Sequence, residues 1–158
     1  HSVGDEMKVT ENFIAIQMAT YGTFIEIDFP EVSSWLPWKN IVVPLLQFQI
    51  HVENAIEHGL RQKAEGVRTL SLSFREEENF IVCMIQDNGI GRKASKERGS
   101  RGSHQGTSML DRVYELFNQR NEYHFRTEYE DLYDADKGDA LGTKVIIYIP
   151  KRYNTQFK

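Results

Sequence analysis

The sequence predicts a two-layer α/β sandwich, a mixed sheet with its helices on one face. Three observations lead there. The 158 residues suffice for one domain with a real core and leave little room for two. Stretches of helical period alternate with stretches of strand period, in the order helix, strand, helix, hairpin, helix, two strands. A composition of 40% hydrophobic and 27% charged residues is that of an ordinary globular chain.

The elements follow in order. Phe13, Ile14, Ile16, Met18 and Tyr21 predict a helix from about Lys8 to Tyr21, ended by Gly22. Phe24 to Phe29 alternates, with Ile25, Ile27 and Phe29 on one face, and reads as a strand closed by Pro30. Pro44 suits the first turn of a helix that runs to His58 and is stopped by Gly59. On it Leu45, Phe48, Val52, Ala55 and Ile56 form an apolar face. Gln47, His51, Asn54 and His58 fall within about 60° of one another on a second, polar face, at about 100° per residue.

Leu70, Leu72 and Phe74 mark a half-buried strand and Phe80 to Ile85 a continuous apolar one, with Glu76 to Asn79 as the turn of a hairpin. Residues 92–106 are basic, rich in Gly and Ser and nearly free of apolar side chains, so they are expected to be a mobile segment without a core face. A helix from about Ser108 to Arg120 presents Met109, Val113, Leu116 and Phe117. Tyr123 to Tyr129 reads as a strand, Glu130 to Leu141 as an acidic loop, and Lys144 to Ile149 as the last strand.

The net charge of −4 argues against a nucleic-acid partner. Cys83 is the only cysteine, which rules out an internal disulfide and fits a reducing cytosol. No apolar run reaches the roughly 18–20 residues that span a bilayer, and no signal peptide opens the chain. The chain starts at His1-Ser2, without a methionine, so the natural protein is expected to extend further.

Three polar motifs carry chemistry. Asp87-Asn88-Gly89-Ile90-Gly91 follows a buried strand, so the Asp87 carboxylate would project from a sheet end and could accept a hydrogen bond from an exocyclic amine such as adenine's. Gly89 and Gly91 would let backbone come close to a base; read alone, Asp-Asn-Gly is equally a common turn. Asn54 sits mid-helix, where asparagine is unfavourable, and its amide oxygen could ligate Mg²⁺; a lone Asn on an exposed face would look the same. His58 could be a hydrogen-bonding wall of such a pocket or a core histidine. His51 and His58 without further ligands do not make a zinc site. Thr143, after Gly142, could set a hydroxyl beside Asp87 or could simply start a strand. Arg92, Lys93, Lys96, Arg98 and Arg101 make the segment before Gly106 and Thr107 resemble a phosphate-covering lid, or a solvated loop.

The stretch from Val43 to Gly59, with Glu53-Asn54-Ala55-Ile56-Glu57-His58-Gly59 at its end, resembles the asparagine box of LytS/YehU-type sensor histidine kinases. Asp87 to Gly91 resembles their first glycine box, Gly142 to Pro150 their closing strand, and Glu11 to Gln17 the end of the region before the catalytic domain. The resemblance implies a Bergerat-type (GHKL) ATP-binding fold. Residues 1–22 would then end the upstream linker and dimerisation region, and residues 23–158 would form the catalytic domain. Carried over, Asn54 coordinates Mg²⁺, Asp87 binds the adenine amine, Gly91 and Thr143 line the adenine pocket, and a lid reaching Gly106 closes over phosphate.

Such kinases use ATP to phosphorylate a histidine on a dimerising segment of the same or the partner protomer, then pass the phosphoryl group to a response regulator. The resemblance also implies a homodimeric full-length protein anchored in the bacterial inner membrane, with this part in the cytoplasm. The chain departs from the pattern at Glu57, where the family tends to have lysine, at Ile50, where it usually has proline, and in a reduced second glycine box over residues 102–107.

ATP-hydrolysing relatives carry a glutamate one turn before the metal asparagine; here that position is Ile50. Glu53 adjoins Asn54 but is rotated by about 100° and is the one candidate base. None of His1, His51, His58, His104 and His124 lies on a segment resembling the phosphoacceptor helix, so the chain is expected to bind ATP but to hold no substrate of its own. A degenerate nucleotide-binding or interaction module, or a GHKL-type ATPase, are the alternatives.

Overall fold

A computed structural model describes residues 1–21, 24–99 and 103–152, excluding the side chains of 21 and 103–106. Helix α1 (Val3–Tyr21) starts five residues before the expected Lys8. The reason is local: Ser2 Oγ accepts the Asp5 N–H at 3.2 Å while the Asp5 carboxylate accepts the Ser2 N–H at 2.9 Å, a reciprocal cap. The expected stop, Gly22, lies outside the described residues. Val3, Met7 and Ile14 of α1 enter the main core, and Glu6 and Thr10 are buried with them.

Strand β1 (Glu26–Asp28) is followed by a short helix α2 (Val32–Trp35), a 3-10 turn at Leu36–Trp38, and α3 (Gln47–Asn54). Helix α3 begins after Leu46, which takes a left-handed conformation at φ 63°. Its first turn is capped from a distance: the Leu46 and Phe48 N–H groups donate to the Glu6 carboxylate at 2.6 and 2.9 Å. Burial pushes the Glu6 carboxyl up, and those two N–H donors pull the other way. On α3 and the turn after it, Phe48, Val52, Ala55 and Ile56 are buried as expected, whereas Leu45 is exposed.

Gly59 does not stop the helix. Residues Ala55–Leu60 form a π-helical turn, and Gly59 lies inside it. A Cβ on Gly89 would fall 2.4 Å from the Gly59 carbonyl carbon, so two glycine backbones are pressed together here.

Strands β2 (Thr69–Glu76) and β3 (Phe80–Asp87) form the expected hairpin. Residues 92–97 of the segment expected to be mobile belong instead to helix α4 (Gly91–Glu97), which buries Gly91 and Ser95; small residues let it pack where apolar ones are missing. Of the rest of the expected lid, 100–102 lie outside the described residues. Helix α5 (Ser103–Asn118) buries Leu110 and Tyr114, while Met109 and Leu116 of the expected face are exposed. The inward stripe is Leu110, Tyr114 and Phe117, because the Tyr114 hydroxyl has a buried acceptor in Gln47 Oε1 at 3.1 Å and its ring stacks on Phe125.

Strand β4 (Arg126–Tyr133) runs four residues into the expected acidic loop. The turn proper is residues 134–139, where the Asp134 carboxylate accepts the N–H groups of Asp136 and Lys137, both at 2.9 Å. Strand β5 (Ala140–Pro150) is correspondingly longer than expected.

The five strands lie in the order β1-β2-β3-β5-β4, parallel between β1 and β2 and antiparallel elsewhere. Leu70 and Leu72, Ile81, Cys83 and Ile85, and Val145, Ile147 and Ile149 face the helices and form the main core. Val82, Ile146 and Tyr148 cluster on the opposite face with Phe80 and Met84, which explains why β3 reads as an unbroken apolar run. The edges are blunted: β1 is three residues long, and β4 carries Arg126, Glu128, Glu130 and Asp131. No helix among the described residues is long and apolar enough to cross a membrane.

Candidate functional site

Asp87 and Thr143 are cross-strand partners at one end of the sheet, on β3 and β5. The π-turn passes over that end, and α4 leaves from it. Between these elements is a cavity of about 240 Å³, somewhat below the roughly 300–1,000 Å³ usual for small-molecule sites.

Asn54, His58, Asp87, Gly91, Thr107 and Thr143, all expected at a site, line this cavity. Gly89 does not; it lies behind the wall against Gly59 and donates its N–H to Asp87 Oδ1 at 2.8 Å. Glu53 is exposed and absent from the lining, so it is not placed to act as a base there. Gly106 falls in the first turns of α5, in the stretch whose side chains are outside the description.

Local geometry explains why these residues converge. The Asp-Asn-Gly turn folds the Gly89 N–H back onto the carboxylate, and Gly91 continues at φ 79°, a conformation that favours glycine. Gly142 sits at φ 122°, where a Cβ would lie 2.0 Å from the Asp87 carbonyl oxygen. That close approach sets the β3–β5 register, and with it the pairing of Asp87 and Thr143. Gly59 is also pinned here, since its Cβ would fall 2.9 Å from Asp87 Oδ1. Asn54 reaches the cavity from the end of α3 and His58 from within the π-turn.

Asp87 is 6% exposed, and burial pushes its carboxyl up to about 6, offset in part by the Gly89 and Thr143 backbone N–H groups and by Lys63. Its outward side faces the cavity as an acceptor. Arg92 makes a two-pronged ion pair with Asp131 at 2.7 and 2.8 Å and stacks over Tyr129, 4.9 Å from the ring centre. That pairing holds the Asp131 carboxyl below its ordinary value. Lys96 lines the same wall. Glu57, where a cation was expected from the resemblance, pairs instead with Arg61 at 2.5 Å.

Sequence reasoning missed Gly59, Ser95, Asp111, Tyr129 and the apolar walls Ile85 and Val145. Ile85 and Val145 were readable in principle, since each lies two residues from Asp87 or Thr143 on the same strand face. Nothing near Asp111 or Tyr129 in the sequence marks them. The set offers one amide oxygen at Asn54, a fit for Mg²⁺ that takes its other ligands from water and phosphate. Among the described residues no group of three His, Cys, Asp or Glu side chains could hold a metal ion.

No protein-family model matches the sequence, and no curated protein matches it. Solved structures do match the fold. The chain is similar to a mycobacterial sensor histidine kinase, MprB, with a TM-score of 0.57 at 13% identity over 98% of this chain and 97% of that one. It is also similar to the catalytic domain of the histidine kinase ThkA in two nucleotide-free crystal forms, with TM-scores of 0.56 at 10% and 9% identity over 98% of this chain. The mixed five-stranded sheet with its helices is therefore the fold of histidine kinase catalytic domains.

Proposed function

We propose that this chain is the ATP-binding catalytic domain of a bacterial two-component sensor histidine kinase of the LytS/YehU type. The observation that carries the reading is the convergence of Asn54, Asp87 and Thr143 on one cavity in a histidine-kinase catalytic fold. In it Asp87 accepts the exocyclic amine of adenine, with Thr143 beside it. Asn54 ligates the Mg²⁺ that neutralises phosphate charge, and Arg92, Lys96 and Thr107 face the phosphates. Positioning and charge stabilisation by these groups, rather than a protein base, would supply the catalysis. Glu53 faces away from the cavity and Ile50 cannot accept a proton, which disfavours the ATPase reading.

Within this reading residues 1–22 close the upstream region and 23–158 form the catalytic domain, joined through the α1 residues in the main core. The phosphoacceptor histidine belongs to a dimerising segment of the same or the partner protomer, and a response regulator receives the phosphoryl group. An inner-membrane anchor would lie outside this chain.

Titration with a fluorescent ATP analogue, with and without Mg²⁺, tests the reading. Asp87→Asn should abolish binding, whereas Asn54→Ala should remove the Mg²⁺-dependent gain and leave a weaker Mg²⁺-independent affinity. Wild-type protein that binds no nucleotide would refute the proposal. Adding the dimerising segment should then give acid-labile, base-stable phosphate on a histidine.

A further inference from the structure

His51 is among the polar side chains of the cavity to which the nucleotide reading gives no task. His51 is 1% exposed and lines the cavity one helical turn before Asn54, and neither Nδ1 nor Nε2 has a hydrogen-bond partner among the described residues. A neutral imidazole carries one donor and one acceptor, and leaving both buried and unpaired costs stability. A leucine of nearly equal volume would fill this space without that cost.

Strand register sets what His51, on α3, has opposite it. Ile85, Val145 and Tyr129 are successive cross-strand partners, one row in from Asp87 and Thr143, and all line the cavity. Ile85 and Val145 form an apolar floor suited to the face of an aromatic base whose polar edge meets Asp87, and the Tyr129 ring, with Arg92 over it, closes the row. At the far end of that floor the Tyr129 ring meets His51 edge-on, with centroids 5.8 Å apart. His51 therefore faces the inner end of the base slot. His51 is itself part of the cavity lining, so its ring meets the ligand space directly at that inner end. Asp87 and Asp111 share the cavity, yet burial still keeps the imidazole pKa down at about 4, so the ring is neutral throughout the working range.

Building on the nucleotide reading, we infer that His51 is a base-reading residue: its ring N–H donates to a ring nitrogen of the purine whose amine Asp87 accepts, directly or through one water. It thus selects among bases by their ring nitrogens, where Asp87 selects by the exocyclic amine.

The test titrates wild type, His51→Leu and His51→Gln with Mg·ATP and with the analogues in which N1, N3 or N7 is replaced by CH. Wild type should lose about two- to tenfold in affinity for one of the three analogues, the worth of one neutral hydrogen bond. His51→Leu should weaken ATP by a similar factor and show no further loss with that analogue, the signature of a shared contact. His51→Gln, which keeps a donor, should recover part of the affinity. Meanwhile nucleotide-free His51→Leu should melt at or above the wild-type temperature, so its weaker binding cannot come from a damaged fold. Equal analogue losses in wild type and His51→Leu, or unchanged ATP affinity in His51→Leu, would overturn the inference and leave the nucleotide reading intact. Failure of wild type to bind ATP at all would remove both.

Discussion

Asp87→Asn exchanges a buried carboxylate for a neutral amide of the same size, and the two forms should differ in stability in a pH-dependent way. Burial raises the carboxyl from 3.8 to about 6. At about 1.36 kcal/mol per pH unit, that gap makes the ionised group less stable in the fold than in the unfolded chain by about 3 kcal/mol. Because the folded value lies above the unfolded one, the carboxyl's favourable contribution is fully present below about pH 3.8. It is lost as the pH rises through about 6. Asparagine behaves like the protonated acid at every pH, and its Oδ1 can still accept the Gly89 N–H.

Urea unfolding of both proteins from pH 4 to pH 8 should therefore show the variant nearly equal to wild type at pH 4 and more stable by about 2–3 kcal/mol at pH 8. In a domain of this size each kcal/mol raises Tm by about 2–4 °C. Glu6 also titrates with a raised value, but it is common to both proteins and cancels in the difference. Gained stability would coincide with lost nucleotide binding, as expected where a binding group is held in an unfavourable ionised state. A difference that stays flat across this range, or a variant less stable at pH 8, would show that burial does not penalise the Asp87 carboxylate.

Two further substitutions probe the frame around the site. Glu6→Ala strands the part-buried Leu46 and the buried Phe48 N–H groups at the start of α3 and should cost about 2–4 kcal/mol in urea unfolding, with Glu6→Gln losing about half of that. Gly142→Ala forces a Cβ onto the Asp87 carbonyl oxygen at φ 122° and should cost more than about 3 kcal/mol, visible as lost amide protection in β3 and β5. Gly99→Ala is the control: its φ of 77° is also left-handed, but nothing lies within 4 Å of the new Cβ, so it should cost only about 1 kcal/mol.

What the sequence disclosed and what it hid divide by the distance over which each feature is determined. The β2–β3 hairpin, the buried stripe of α3 apart from Leu45, and the sheet-end position of Asp87 follow from local period and turn chemistry, and all three appear in the structure. Thr143 reads from the sequence as a hydroxyl beside Asp87 or as a strand start; in the structure it is Asp87's cross-strand partner, and the strand starts earlier, at Ala140. The rotation of α5 was hidden, since its inward face depends on a Tyr114 hydroxyl finding Gln47, which is 67 residues away in the chain. The start of α3 was hidden for the same reason: its cap is Glu6, which is 40 residues from Leu46 and sits on a different helix.

Gly59 shows the limit most clearly. A glycine after a helical run has a ready local meaning as a stop, yet here a contact with Gly89 and the Asp87 carboxylate requires it, and the helix widens around it instead of ending. The motif residues were recognisable because each has a local oddity, such as a mid-helix asparagine or an aspartate at a glycine turn. The opposite wall has none: Tyr129 and Asp111 are ordinary residues on β4 and α5 that tertiary packing brings to the cavity. Selectivity for a base would depend on that wall as much as on the motifs, so this class of site is easier to detect from sequence than to rank by ligand.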